Sequence, residues 1–132
     1  MSTPAMEPAE TGDVVTDHRQ RARYFLRQGC QFLADGDLHQ ASEKGWGAAA
    51  HIVKAVAAAH GWRYESHDEF DAVLEQASAL AGNDRIHDLG NAAHYLHRNY
   101  YKRKALLNPG RIQRNLDNVD ELINLLRPLC QR

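Results

Sequence analysis

Five stretches of this chain repeat apolar residues at intervals of three and four, and nowhere does an apolar–polar alternation run on as it would in a half-buried strand. That pattern points to an all-α fold, and local signals divide the chain into its helices. The first is expected from about Thr16 to Ala34, with Tyr24, Leu26, Cys30 and Leu33 on its stripe and Asp35-Gly36 ending it. Asp37, with Gln40 three residues on, forms a capping-box pattern for a second helix that runs to His60 and stops at Gly61. Ser66 and Glu69 repeat that pattern for a third helix, which carries Phe70, Val73, Leu74 and Leu80 and ends at Gly82. Asn83 or Asp84 opens a fourth, striped by Leu89, Ala93, Leu96 and Tyr100. Asn108-Pro109-Gly110 breaks the chain before the last, which carries Ile112, Leu116, Val119, Leu122, Ile123 and Leu126. Short connections between amphipathic helices imply antiparallel neighbours. The expected architecture is an antiparallel bundle of about five helices, one domain over residues 14–132. Residues 1–13, with Pro4, Pro8 and Gly12, read as a disordered N-terminal tail.

A chain of 132 residues is long enough to be held by one core without staples. Its longest apolar stretch, Gly45 to Ala59, is interrupted by His51 and Lys54 and is too short and polar to cross a bilayer. Cys30 and Cys130 match no disulfide or metal spacing. With no secretory leader legible, they read as reduced thiols of a cytoplasmic protein. The formal net charge of −1 argues against a surface that is basic throughout, leaving room for a local basic patch. Eight histidines are the compositional oddity, and His51, His87, His94 and His97 fall within helical patterns.

The second helix is rich in small residues at Gly45, Gly47, Ala48, Ala49 and Ala50, a surface on which another helix can settle closely. Against it stand Glu43, Trp46, His51 and Lys54, with Glu43 and Lys54 eleven residues apart and so near one azimuth. The fourth helix presents His87, Asn91, His94 and Arg98 along one face, with His97 and Tyr101 adjoining. If those two helices pack together, Glu43, His51, Lys54, His94, His97 and Tyr101 meet in one polar pocket. Lodged between apolar helices, such groups would have shifted pKa values, as acid–base catalysts do. His51 or His97 would serve as base, Lys54 as anion stabiliser and Glu43 as the orienting group. The plainer reading makes them a structural polar network that fixes helix register. No metal or cofactor is expected: His94 and His97 are spaced i, i+3, but no carboxylate stands three or four residues from them on that helix. A second candidate surface follows, where Arg98, Lys102, Arg103, Lys104, Arg111 and Arg114 cluster around Tyr100 and Tyr101. Cations interleaved with aromatic rings suit phosphates and bases. Helix ends also favour Lys and Arg through the macrodipole alone.

The segment Glu43-Lys44-Gly45-Trp46-Gly47-Ala48-Ala49-Ala50-His51 with Lys54-Ala55, and the later Ala93-His94-Tyr95-Leu96-His97-Arg98-Asn99-Tyr100-Tyr101, resemble the PaREP-type families, small helical proteins related to the HEPN superfamily. The resemblance spans about Tyr24 to Leu126. It implies a HEPN-like bundle of four or five helices, commonly a homodimer. HEPN relatives include metal-independent ribonucleases and nucleotide-binding or toxin–antitoxin modules. Their ribonucleases carry an arginine and a histidine separated by four to six residues. Here Arg98 is followed at those positions by Arg103, Lys104 and Ala105, and Arg63 has His67 one residue too near. The function expected is therefore a dimeric HEPN-like module that binds a nucleotide, RNA or a partner protein without that ribonuclease motif. The alternative is a small acid–base enzyme built on the pocket.

Overall fold

A computed structural model describes residues 8–131, with side chains from Thr11 onward. Five α-helices and three 3-10 turns follow one another, with no strand among the described residues. The helices are α1 (Pro8–Ala34), α2 (Leu38–His60), α3 (His67–Ala81), α4 (Arg85–Arg98) and α5 (Pro109–Leu126). The 3-10 turns are Asn99–Tyr101, Lys104–Leu106 and Arg127–Cys130. α1 begins eight residues before the expected Thr16, so residues 8–13 of the expected tail are helical. Proline suits the first turn of a helix, where its missing N–H has no partner to lose. The remainder of that tail, residues 1–7, lies outside the described residues.

The connections carry the expected punctuation, with two changes of detail. Asp37 accepts the Gln40 N–H at 3.1 Å and so caps α2 as the sequence predicts, and Asn108, the first residue of the expected chain break, accepts the Arg111 N–H at 3.0 Å and caps α5. Gly61 closes α2 with φ of 69° and Gly82 closes α3 with φ of 64°, a region side chains disfavour. Ser66, by contrast, does not cap α3. Glu69 instead accepts the Glu65 N–H and the Ser66 hydroxyl. At α4 it is Asn83 whose side chain accepts the Arg85 N–H, while Asp84 makes no cap bond.

α2 is the central element and packs against all four other helices. Its small residues serve the expected purpose. A Cβ on Gly45 would lie 2.6 Å from a Leu116 methyl and 2.7 Å from a Leu96 methyl, and one on Gly47 would lie 3.1 Å from Phe25. α4 and α5 thus seat on one side of α2 and α1 on another. The stripe on α5 is buried as expected. That on α1 is corrected: Val15, Ala22, Leu26 and Gly29 face inward, while Tyr24 and Cys30 are exposed. Tyr24 and Leu26 are two residues apart, about 200° around a helix, and cannot share a buried face. Tyr100, placed on the α4 stripe by its spacing, is also exposed, because α4 ends at Arg98 and the chain turns into 3-10 geometry. Tyr95 is buried in α4 instead. Leu80 of α3 is exposed, and Ala77 and Ser78 are buried on that helix.

Candidate functional site

The six residues expected to form one pocket are divided among three surroundings. His51 turns to α1, not α4. Its Nδ1 is 2.9 Å from Nδ1 of His18, one of the two donating to the other, and its ring lies 5.1 Å from that of Phe25. Burial holds His51 neutral down to about pH 4, and the charges of His18, Lys54 and Arg21 reinforce the effect against Asp17. Glu43 is exposed and forms no ion pair among the described residues. Lys54 extends over the Tyr64 ring at 5.6 Å. With Trp46, Tyr64 and His67 it lines a cleft of about 300 Å³. His94, His97 and Tyr101 lie together along α4 and the turn after it, while Lys54 stays close enough to His51 for its charge to act on that ring. A single acid–base pocket of all six is therefore not what the fold builds, because side chains 100° per residue around α2 are claimed by different neighbours.

What the fold builds there is a run of aromatic rings. Trp46 of α2 sits 4.6 Å from His97, 5.1 Å from His67 and 5.1 Å from Phe70, measured between ring centroids. His67 and His97 are 4.8 Å apart. Tyr101 meets His97 edge-on at 6.2 Å, and Tyr100 meets Tyr101 at 5.2 Å. The run passes from half-buried Trp46 to Tyr100 and Tyr101, which are 58 % and 78 % exposed. Beside it, His94 Nε2 donates to the Asp71 carboxylate at 2.7 Å. Burial, then the neighbouring His67 and His94, lowers the pKa of His97, favouring its neutral form. No group of three or more His, Cys, Asp or Glu among the described residues is placed to hold a metal ion.

The basic residues adjoin this run. Lys102 and Arg111 both lie over the Tyr95 ring, at 4.9 and 4.8 Å from its centroid. A buried aromatic ring thus gathers one cation from the α4–α5 connection and another from α5. Arg98 and Arg111 line a groove of about 330 Å³ between α4 and α5, together with Asn91, Asn115 and, nearer the start of α4, Asp88. Arg98, Arg103, Lys104 and Arg111 are exposed. Among the described residues none of these cations, nor Lys102, has an ion-pair partner. Elsewhere arginines are matched, Arg21 with Asp17, Arg63 with Glu69 and Arg85 with Glu121.

The connection bearing these groups is fastened from below. Asn99 is fully buried and donates from Nδ2 to Ser42 Oγ of α2 at 3.0 Å. His39 of α2 donates from Nε2 to the Lys102 carbonyl at 2.8 Å. Sequence reasoning missed His18, His67, Asp71 and Asn99. Asn99 lies inside the segment that carries the family resemblance, but no sequence pattern marks it as a buried tie to α2. His18 is 33 residues from His51 and no local pattern joins them.

Compared with known proteins, residues 17–123 match the model of the Archaeal PaREP1/PaREP8 family. No curated protein and no solved structure matches the chain.

Proposed function

We propose that this chain, which belongs to the archaeal PaREP1/PaREP8 family, is a helical module that binds single-stranded RNA across the aromatic run and the adjoining basic corner. The observation that carries the reading is that the run of His67, His97, Tyr101 and Tyr100 continues directly into the connection bearing Lys102, Arg103 and Lys104, with Lys102 and Arg111 gathered on Tyr95 and no acidic side chain paired with these cations or with Arg98. Proteins that hold single strands combine stacking platforms for bases with a positive surface that follows the phosphates. Asn99 and His39 supply the rigidity such a surface needs, since each ties the connection to α2.

The HEPN relationship and the homodimer it implies are part of the same proposal; a second copy would double the platform, and a native mass spectrum would show twice the chain mass. The binding test is fluorescence anisotropy with a labelled oligoribonucleotide of about 12 nucleotides, a length that spans one binding surface. Tyr100→Ala with Tyr101→Ala is expected to weaken binding by about 1–3 kcal/mol per lost stack. Lys102→Gln with Arg111→Gln weakens it for every sequence alike. The reading fails if the wild-type protein leaves the probe free, or if the tyrosine pair is without effect.

One observation favours a second reading. His94, oriented by Asp71, lies near His97, whose lowered pKa supplies a neutral imidazole at pH 7. Acid–base chemistry on a bound phosphodiester or small molecule would use His97 to take a proton and His94 to give one. Gel analysis of RNA incubated with the protein separates the two readings: intact RNA supports a binding module, and cleavage abolished by His97→Gln supports the enzyme.

A further inference from the structure

Three arginines of α1 lie away from the aromatic run and the basic corner. Arg19, Arg23 and Arg27 follow one another at i, i+4 and i+8, a spacing that stacks like charges along one ridge. Like charges so placed repel one another along the helix. Arg127, in the 3-10 turn after α5, brings a fourth guanidinium to the same place. Together with Thr16 and Gln20 they wall a cleft of about 330 Å³ whose floor is Ile52 of α2 and Ile123 of α5. Both isoleucines are 1 % exposed in the folded chain, so the floor is fixed core.

The four guanidinium groups are not equally matched. Arg23 is held by Asp120 and Asn124 of α5. Arg19, Arg27 and Arg127 have no ion-pair partner among the described residues. The end of α5 contributes some negative potential to Arg127 through its dipole, but that partial charge falls short of three cations. The cleft therefore concentrates unneutralised positive charge around an apolar floor, with Arg23 already locked in position.

We propose that this cleft is a binding site for a small phosphorylated ligand, with the phosphate or pyrophosphate group held by Arg19, Arg27 and Arg127 above the fixed floor of Ile52 and Ile123. Guanidinium forks match phosphate oxygens two at a time, which an ammonium cannot do. A volume of about 300 Å³ is at the lower end of small-ligand sites and suits a compact molecule. The cleft shares no residue with the aromatic run or the basic corner, so the proposal stands independently of RNA binding.

Isothermal titration of the whole chain with sodium pyrophosphate, and separately with ADP, tests it at constant ionic strength. Saturable binding is expected, at least tenfold weaker in Arg19→Gln with Arg127→Gln and unchanged in Arg63→Gln, whose charge lies elsewhere. Arg19→Lys with Arg127→Lys keeps the charge and removes the forks; it guards against misfolding of the neutral pair and is also expected to bind less tightly. A rise in melting temperature with pyrophosphate that chloride at equal ionic strength does not reproduce would accompany binding. Absence of heat with both ligands overturns the proposal. So does full affinity in the arginine variants, or a loss of affinity found instead in Lys102→Gln with Arg111→Gln.

Discussion

His18 and His51 meet across α1 and α2 through two Nδ1 atoms 2.9 Å apart, a contact in which at least one ring must be neutral to accept. Both pKa values are lowered, chiefly by burial, that of His51 to about 4. The folded state therefore resists protonation more than the unfolded chain, whose histidines titrate near about 6.5. Stability from this pair is full above that pH and is lost as pH falls from about 6.5 toward 4, because the unfolded chain takes up protons first. Both rings keep some contact with solvent, so we expect a loss of about 1–2 kcal/mol, less than the full shift implies. Melting temperatures between those pH values check it: His51→Phe, which keeps a ring against Phe25, should flatten the profile relative to wild type. Asn99 offers a second test at this scale. It is fully buried, its Nδ2 is matched by Ser42, and its Oδ1 has no hydrogen-bond partner. Ser42→Ala strands the donor as well and should destabilise the fold by about 1–3 kcal/mol. Ser42→Ala combined with Asn99→Leu removes both polar partners and should recover much of that loss, which denaturant melts of the two variants beside wild type would resolve.

At the scale of elements, three helical glycines make different demands. Gly45 lies where a Cβ would press on Leu96 and Leu116, Gly47 where it would meet the Phe25 ring less tightly, and Gly12 where nothing stands within 4 Å. Glycine costs a helix roughly 0.5–1 kcal/mol relative to alanine, so alanine gains that amount wherever it fits. Overpacking a core costs about 1–3 kcal/mol. We expect Gly12→Ala to stabilise the protein, Gly47→Ala to lie near neutral, and Gly45→Ala to destabilise it by about 1 kcal/mol; thermal melts of the three give the order. A different order would mean that α2 and its neighbours are less closely seated than described. The same packing explains why the acid–base pocket did not assemble. Once Gly45 is given to α4 and α5 and Gly47 to α1, His51 is committed to α1 while Trp46 faces His67, His94 and His97.

For the molecule as a whole, a net charge of −1 conceals an uneven distribution. Acidic partners neutralise Arg21, Arg23, Arg63 and Arg85. Those at the basic corner, and Arg19, Arg27 and Arg127 of the α1 cleft, are left open. Binding of a single strand to five such cations should follow a slope of about −3.5 in log K against log salt, from about −0.7 per phosphate contact. Between about 50 and 200 mM salt that amounts to a loss of affinity of about a hundredfold. Removing Lys102 and Arg111 should flatten the slope by about 1.4. Anisotropy titrations at several salt concentrations measure both values, and a slope near zero would leave the basic corner without a role in binding.

The sequence alone determined the helical class, the order of the helices and most of their ends. Those follow from residues a few positions apart, such as Asp37 with Gln40 or Asn108 with Pro109, whose effects are local and need no neighbouring helix. The inward stripe of α5 was legible for the same reason. The rotation of each helix about its axis was not, because it depends on which partners arrive. That rotation decides that Tyr24 is outside and Tyr95 inside, and that His51 belongs with His18. It also brings His67, which opens α3, against Trp46 and His97, and assembles the arginine cleft from residues about 100 positions apart (Arg27 and Arg127). The basic corner was legible as a cluster in sequence, but the tertiary fold alone draws Lys102 and Arg111 to one Tyr95 ring and continues the aromatic run from α2 to Tyr100.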